Sequence, residues 1–218
     1  MNTYHNLKHT LDLNNVTLVA VSKTKPVEQI MEMYEQGQRI FGENRVQELV
    51  EKHPALPQDI EWHMIGHLQS KKVKHIASFV SMIHAVDSIK LLNVINKMGI
   101  QHGRRIDALL QIKIAKEESK FGFEFGSLLS ELSSIDFNSM TGVQIRGVMG
   151  MATFIDDVDQ VRKEFKKLKA CFELLKGEFF NVPDFDTLSM GMSGDYEVAI
   201  EEGSTMVRIG SLIFGPRG

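Results

Sequence analysis

A chain of 218 residues, 43% hydrophobic and 24% charged, supports one sizeable core, and a formal net charge of −3 offers no electrostatic case for nucleic acid. No stretch approaches the roughly 20 apolar residues a membrane span needs, and the opening MNTYHNLKHTLDLNN lacks the apolar run of a secretory leader. The single cysteine, Cys171, allows no internal disulfide, so a reducing cytosol (a cytoplasmic location) is expected.

In chain order, residues 2–12 read as a leading helix. The first apolar run, TLVAVS (17–22), is followed by the helix-like VEQIMEMYEQG (27–37). RIFGE (39–43) precedes NRVQELVEK (44–52), and EWHMIG (61–66) precedes SKKVKHIAS (70–78). VSMIHAVD (80–87) leads into SIKLLNVINKMG (88–99), and DALLQIKI (107–114) comes before EFGSLLSELSS (124–134). VQIRGVMG (143–150) precedes VDQVRKEFKKLKACFELLKG (158–177); TLSMG (187–191) precedes GDYEVAIEEG (194–203); TMVRIG (205–210) is last. Strict alternation of this kind predicts parallel strands joined by crossover helices. Eight such units suit an α/β chain closed as a (β/α)8 TIM barrel, one domain over 1–218 with an extra N-terminal helix. The rival, an open doubly wound sheet, would carry a G-x-G-x-x-G after its first strand, and none is present.

Function in such a barrel sits where strands end. LVAVSKTKP (18–26) runs from buried strand into a lysine. If Lys23 points inward with Val19 and Val21, its amine stands above an apolar layer, a setting for a nucleophile. The plain alternative is a surface lysine where the strand meets water; Lys25, beyond the strand, is a weaker candidate. SMGMSGD and RIGSLIFGPRG are rich in glycine and serine after the last two strands, where barrels of this kind often hold phosphate on backbone N–H groups. Ser189, Ser193, Gly210 and Ser211 are the candidates. Arg208 interrupts an apolar strand and should point inward with Met206 and Gly210. A buried arginine is either paired, for instance with Glu43, or faces a ligand. Met149, Met151, Met190 and Met192 cluster at strand ends, as gap fillers or as walls for a flat ring.

The histidines do not predict a metal. His63 and His67 in WHMIGH are four apart but lack the glutamate of a helical zinc motif, and His84 stands alone on the fourth run.

A lysine able to form an imine, a phosphate cradle and a buried arginine on one barrel suggest pyridoxal 5′-phosphate. The motifs AVSKTKP, FGEN followed by VQE, WHMIGHLQSKK, IHAVDS, EESKFGF, RGVMGM, LSMGMSGD and VRIGSLIFGPR carry a close resemblance to the pyridoxal phosphate homeostasis proteins. These are single-domain cofactor-binding barrels related to the N-terminal domain of alanine racemase, of the fold type III class but without its C-terminal β-domain. The resemblance implies that Lys23 forms a Schiff base with the cofactor and that Arg208 faces the pyridine nitrogen. It puts Ser189, Ser193, Gly210 and Ser211 at the phosphate, with Asn44 and Ile65 near the ring. The chain has LQSKK where the family often has LQSNK, with Lys71 at the variable place.

Arginine can only donate to the ring nitrogen, which leaves the ring a poor electron sink. Racemisation also needs a base on each face of the ring, and of the three tyrosines only Tyr196 is expected nearby. The chain ends eight residues after the last strand, so no second domain is expected to close the pocket. The expectation is a monomeric protein that binds, buffers or delivers the cofactor to apoenzymes without robust turnover. The alternatives are a racemase-like enzyme using the same cofactor, and an aldolase-like barrel whose lysine attacks a sugar phosphate directly.

Overall fold

The structure, a computed structural model, describes residues 3–115 and 121–215. Residues 117–120 of the EESKFGF motif, and Pro216 and Arg217, lie outside the described residues. Helix α1 (Thr3–Leu13) leads into strand β1 (Thr17–Val21) and helix α2 (Val27–Glu35). Strand β2 (Ile40–Glu43), helix α3 (Val46–Lys52), strand β3 (Glu61–Met64) and strand β4 (Met82–Val86) follow. Then come α4 (Ile89–Gln101), β5 (Ile106–Gln111), α5 (Phe125–Ser133), β6 (Val143–Met149) and α6 (Val158–Glu178). The chain closes with β7 (Thr187–Ser189), α7 (Tyr196–Glu201), β8 (Met206–Ile209) and the short α8 (Ser211–Phe214). The strands close a barrel in sequence order, with β1 parallel to both β2 and β8.

All eight predicted strands are present. The predicted helix over 70–78 is instead a 3₁₀ stretch, Ser70–His75. Its apolar anchors Val73 and Ile76 lie three apart, and a helix of three residues per turn sets both against the barrel. The lysine-rich remainder has little apolar surface to bury.

Strand alternation sorts the core into two layers. Val19, Met82, Leu109, Met149 and Met206 pack inside the barrel, while Leu18, Ala20, Phe41, Trp62, Ile83 and Val207 pack between strands and helices. Each fully buried side chain of this size contributes about 1.5–3 kcal/mol. In β6 the register to β5 jumps from Ala108↔Ile145 to Leu109↔Gly147. That bulge shifts the alternation by one residue, so Ile145 faces the helices while Met149 turns into the barrel. Gly147 takes φ +155° there, and a Cβ would stand 1.8 Å from the Thr187 carbonyl oxygen.

Candidate functional site

A cavity of about 550 Å³ opens at the C-terminal ends of the strands. Lys23, Asn44, Ile65, Ser193, Arg208, Gly210 and Ser211 all line it, with Val21, Lys25, Met151, Met192, Gly194 and Leu212 among their neighbours. Ser189 does not line it. Its side chain is fully buried beneath Arg208, whose Nη1 donates to the Ser189 Oγ at 2.6 Å. Among the residues expected from sequence at the phosphate, Ser189 is placed apart from the others, with its hydroxyl engaged inside the barrel.

Lys23 is not aimed by strand alternation, because β1 ends at Val21 and Lys23 lies in the turn beyond it. The residues on either side of it are held instead. The Ser22 N–H donates to the Gly42 carbonyl at 3.0 Å and its hydroxyl donates to Glu43 Oε1 at 2.6 Å. Lys52 Nζ donates to the Ser22 carbonyl at 2.9 Å, to Glu43 at 2.7 Å and to Glu48 at 3.0 Å. Glu48 in turn accepts the Thr24 N–H at 2.7 Å, and Thr24 sits at φ +61°. A left-handed threonine is strained, and such a residue persists only where its surroundings over-determine it. The buried pair on α3 and β2 thus clamps the loop that presents Lys23. Burial pushes the Glu43 carboxyl above its ordinary range, and Lys52 and Ser22 offset part of that. Glu43 is consequently unavailable to Arg208, and the pairing weighed from sequence does not form.

Gly66 sets a second wall. A Cβ there would stand 2.4 Å from the Asn44 carbonyl oxygen, so only glycine lets the chain after β3 pass against Asn44. The Ile65 N–H donates to the Glu43 carbonyl at 2.9 Å, which places Ile65 beside Asn44 at the cavity. Opposite, the N–H groups of Ile213 and Phe214 both donate to the Gly210 carbonyl at 2.9 Å, closing the turn that presents Gly210 and Ser211. Lys25 Nζ donates to the Phe214 carbonyl at 3.0 Å. Lys71 is exposed and away from the cavity.

Arg208 is 4% exposed yet lines the cavity. Its Nη2 donates to the Gly150 carbonyl at 3.0 Å, so both its described partners are neutral oxygens. Burial lowers its guanidinium to about 10, with the Asp195 charge opposing that fall. It remains a cation at neutral pH.

The chain matches the family described as alanine racemase, N-terminal domain, over residues 2–218. It is 40% identical over 214 residues to the pyridoxal phosphate homeostasis protein of Vibrio alginolyticus, covering 93% of this chain and 87% of that protein. The human protein of the same description is 40% identical over 211 residues, covering 92% and 76%. The chain belongs to the pyridoxal phosphate homeostasis protein family. Among solved structures, PipY of Synechococcus elongatus without PLP superposes with a TM-score of 0.89 at 34% identity, covering 98% of each chain. PipY with PLP bound gives 0.81 at 34% identity, covering 92% and 93%. An alanine racemase of Clostridium difficile shares the fold, with a TM-score of 0.74 at 13% identity over 99% of this chain and 56% of that one.

In this member of the pyridoxal phosphate homeostasis family, sequence reasoning missed what lies behind the cavity wall. The fourth-strand histidine is not alone: His84 Nε2 lies 3.0 Å from His63 Nδ1, and His84 Nδ1 lies 3.3 Å from the Ser189 Oγ. His67 points elsewhere, pairing with Asp87 and stacking on Phe121. Burial holds the His63 imidazole down to about 3, and burial together with His63 and Arg208 holds His84 well below its usual range. Tyr196, the tyrosine expected nearby, donates its hydroxyl to Glu197 and does not line the cavity.

Proposed function

We propose that this chain binds pyridoxal 5′-phosphate in the cavity at the strand ends and holds it for buffering or delivery to apoenzymes, without robust turnover of amino acids. One observation carries the reading: an amine, an arginine backed only by neutral oxygens, and two serine hydroxyls line one cavity. The donor set fits the cofactor. When bound, the cofactor supplies an aldehyde, a phosphate and a basic ring nitrogen. Lys23 is the covalent anchor, its Nζ condensing with the aldehyde with loss of water. Ser193, Gly210 and Ser211 receive the phosphate, Asn44 and Ile65 flank the ring, and Ser189 contributes through Arg208.

Arg208 donates to the ring nitrogen and cannot accept from it, so that nitrogen is held unprotonated. The ring is then a weak electron sink, and no tyrosine among the described lining residues offers a second base. The name and the PLP-bound structure of the relatives support the same reading. The proposal is of one domain over 1–218, monomeric and cytosolic; among the described residues no helix is long and apolar enough to cross a membrane.

Borohydride reduction after loading with the cofactor is expected to fix the label on Lys23. Label recovered on Lys25 or Lys71 alone would refute the anchor. Lys23→Ala should lose the visible absorbance of the anchored cofactor and keep its fold, since Lys23 lies in a turn outside the core. Holo protein should restore activity to a cofactor-free enzyme. Amino-acid turnover of roughly 1 per second or more, abolished by Lys23→Ala, would instead establish an enzyme.

A further inference from the structure

Barrel interiors are filled by layers of apolar side chains, and here Val19, Met82, Leu109 and Met149 do that. Two imidazoles and a serine hydroxyl share this space. His63 is 3% exposed, and His84 and Ser189 are fully buried. Burying such groups is unfavourable unless each is hydrogen-bonded, and an apolar pair of the same volume would fill the barrel without that demand. Their contacts form one line that ends on a cavity residue.

We propose that His84 is a positioning residue for Arg208: with Ser189 and His63 it forms a buried hydrogen-bond relay that fixes the direction of the guanidinium at the cavity. This rests on the reading that Arg208 meets the cofactor there. The guanidinium can only donate, which makes Ser189 Oγ an acceptor at that end, and the acceptors left within reach order the other protons along the line. Ser189 Oγ accepts from Arg208 Nη1 at 2.6 Å, and among the described residues the acceptor within reach of its own proton is His84 Nδ1 at 3.3 Å. His84 must then carry its hydrogen on Nε2, which donates to His63 Nδ1 at 3.0 Å. His63 in turn is the Nε2–H tautomer. The relay has one direction, away from the cation, and each member polarises the next in the same sense. Protonating His84 would turn Nδ1 into a donor, take from the Ser189 proton its acceptor, and add a second cation beside the first. The neutral state that burial imposes on both rings is the state the relay requires. The second anchor, Gly150, is backbone and holds Nη2. Arg208 is thereby held at two points before any ligand arrives, so little side-chain entropy remains to be lost on binding.

The test uses the full chain. In the ligand-free protein, ring-nitrogen NMR should show His84 and His63 neutral, with hydrogen on Nε2 and none on Nδ1; hydrogen on His84 Nδ1 would overturn the relay. His84→Phe, which keeps the ring volume, should weaken pyridoxal phosphate binding roughly tenfold, the scale of a hydrogen bond to a charged group, and shift the absorption maximum of the bound cofactor. Ser189→Ala cuts the same relay with a smaller change and should act in the same direction, so it decides the matter if His84→Phe does not fold. In an Arg208→Ala background neither substitution should weaken binding further, because both act through the arginine. If Arg208→Ala itself leaves affinity unchanged, the reading of the cavity fails and the relay's role fails with it. If Arg208→Ala loosens the cofactor while the other two leave affinity and spectrum unchanged, or add to it independently, only the positioning role falls.

Discussion

Lys52→Met is expected to destabilise the ligand-free barrel by about 3–5 kcal/mol, the range for removing one partner of a buried ion pair. Glu43 has no exposed side-chain surface, and its Oε2 has no hydrogen-bond partner. Without the ammonium its remaining side-chain partner is the Ser22 hydroxyl. The folded-state pKa of Glu43 already lies above its ordinary value. A raised carboxyl contributes stability that is present below its unfolded pKa and is lost as pH rises through the folded one. Removing Lys52 raises it further, so the loss should be larger at pH 8 than at pH 5. Denaturant unfolding at the two pH values checks this, and a loss under about 1 kcal/mol at both would contradict the clamp. Glu43→Leu combined with Lys52→Met should recover much of the stability, since no fully buried charge is left orphaned and Glu48 keeps contact with water. It should not recover fast capture of the cofactor by Lys23, because Ser22 loses its Glu43 and Lys52 partners and Glu48, which holds the Thr24 N–H, loses the ammonium that fixes it.

Acid should unfold this barrel earlier than its carboxylates alone would. His63 is held down to about 3 by burial, and His84 well below its usual value. Both pKa values are depressed in the folded state, so their contribution is complete above the unfolded value of about 6.5 and declines as pH falls toward the folded ones. Each histidine adds a slope of roughly 1.4 kcal/mol per pH unit in that window. Between pH 6 and 5 most carboxylates are still ionised in both states, and the histidines should dominate. Urea unfolding across that window, with proton uptake measured alongside, should report a net uptake to which His63 and His84 each contribute. His84→Phe should lower the uptake by about one proton. A flat stability profile from pH 6.5 to 5 would show that the two rings are not held neutral.

The strand order and five of the seven candidates that meet at the cavity were legible in the chain because both depend on local pattern. Short apolar runs alternating with amphipathic stretches dictate a parallel barrel, and a barrel brings every strand end to one rim. Lys23, Arg208, Gly210 and Ser211 each sit at such an end, so knowing the fold placed them together. Motif resemblance added Asn44 and Ile65, for which composition and spacing carry no signal. Other features were decided only by tertiary structure. The 3₁₀ stretch at Ser70–His75 follows from how two apolar residues three apart meet the barrel. The orientation of Met149 follows from a bulge at Gly147 that breaks simple alternation. Ser189 looked like its neighbour Ser193, but β7 carries it inward beneath Arg208 rather than out to the rim. His63 and His84 are 21 positions apart on adjacent strands, and Glu43, Lys52 and Glu48 on β2 and α3 grip the loop beyond β1. Local periodicity says which residues are buried; it does not say which buried polar groups meet, because that depends on register and bulges set by pairing across the whole barrel.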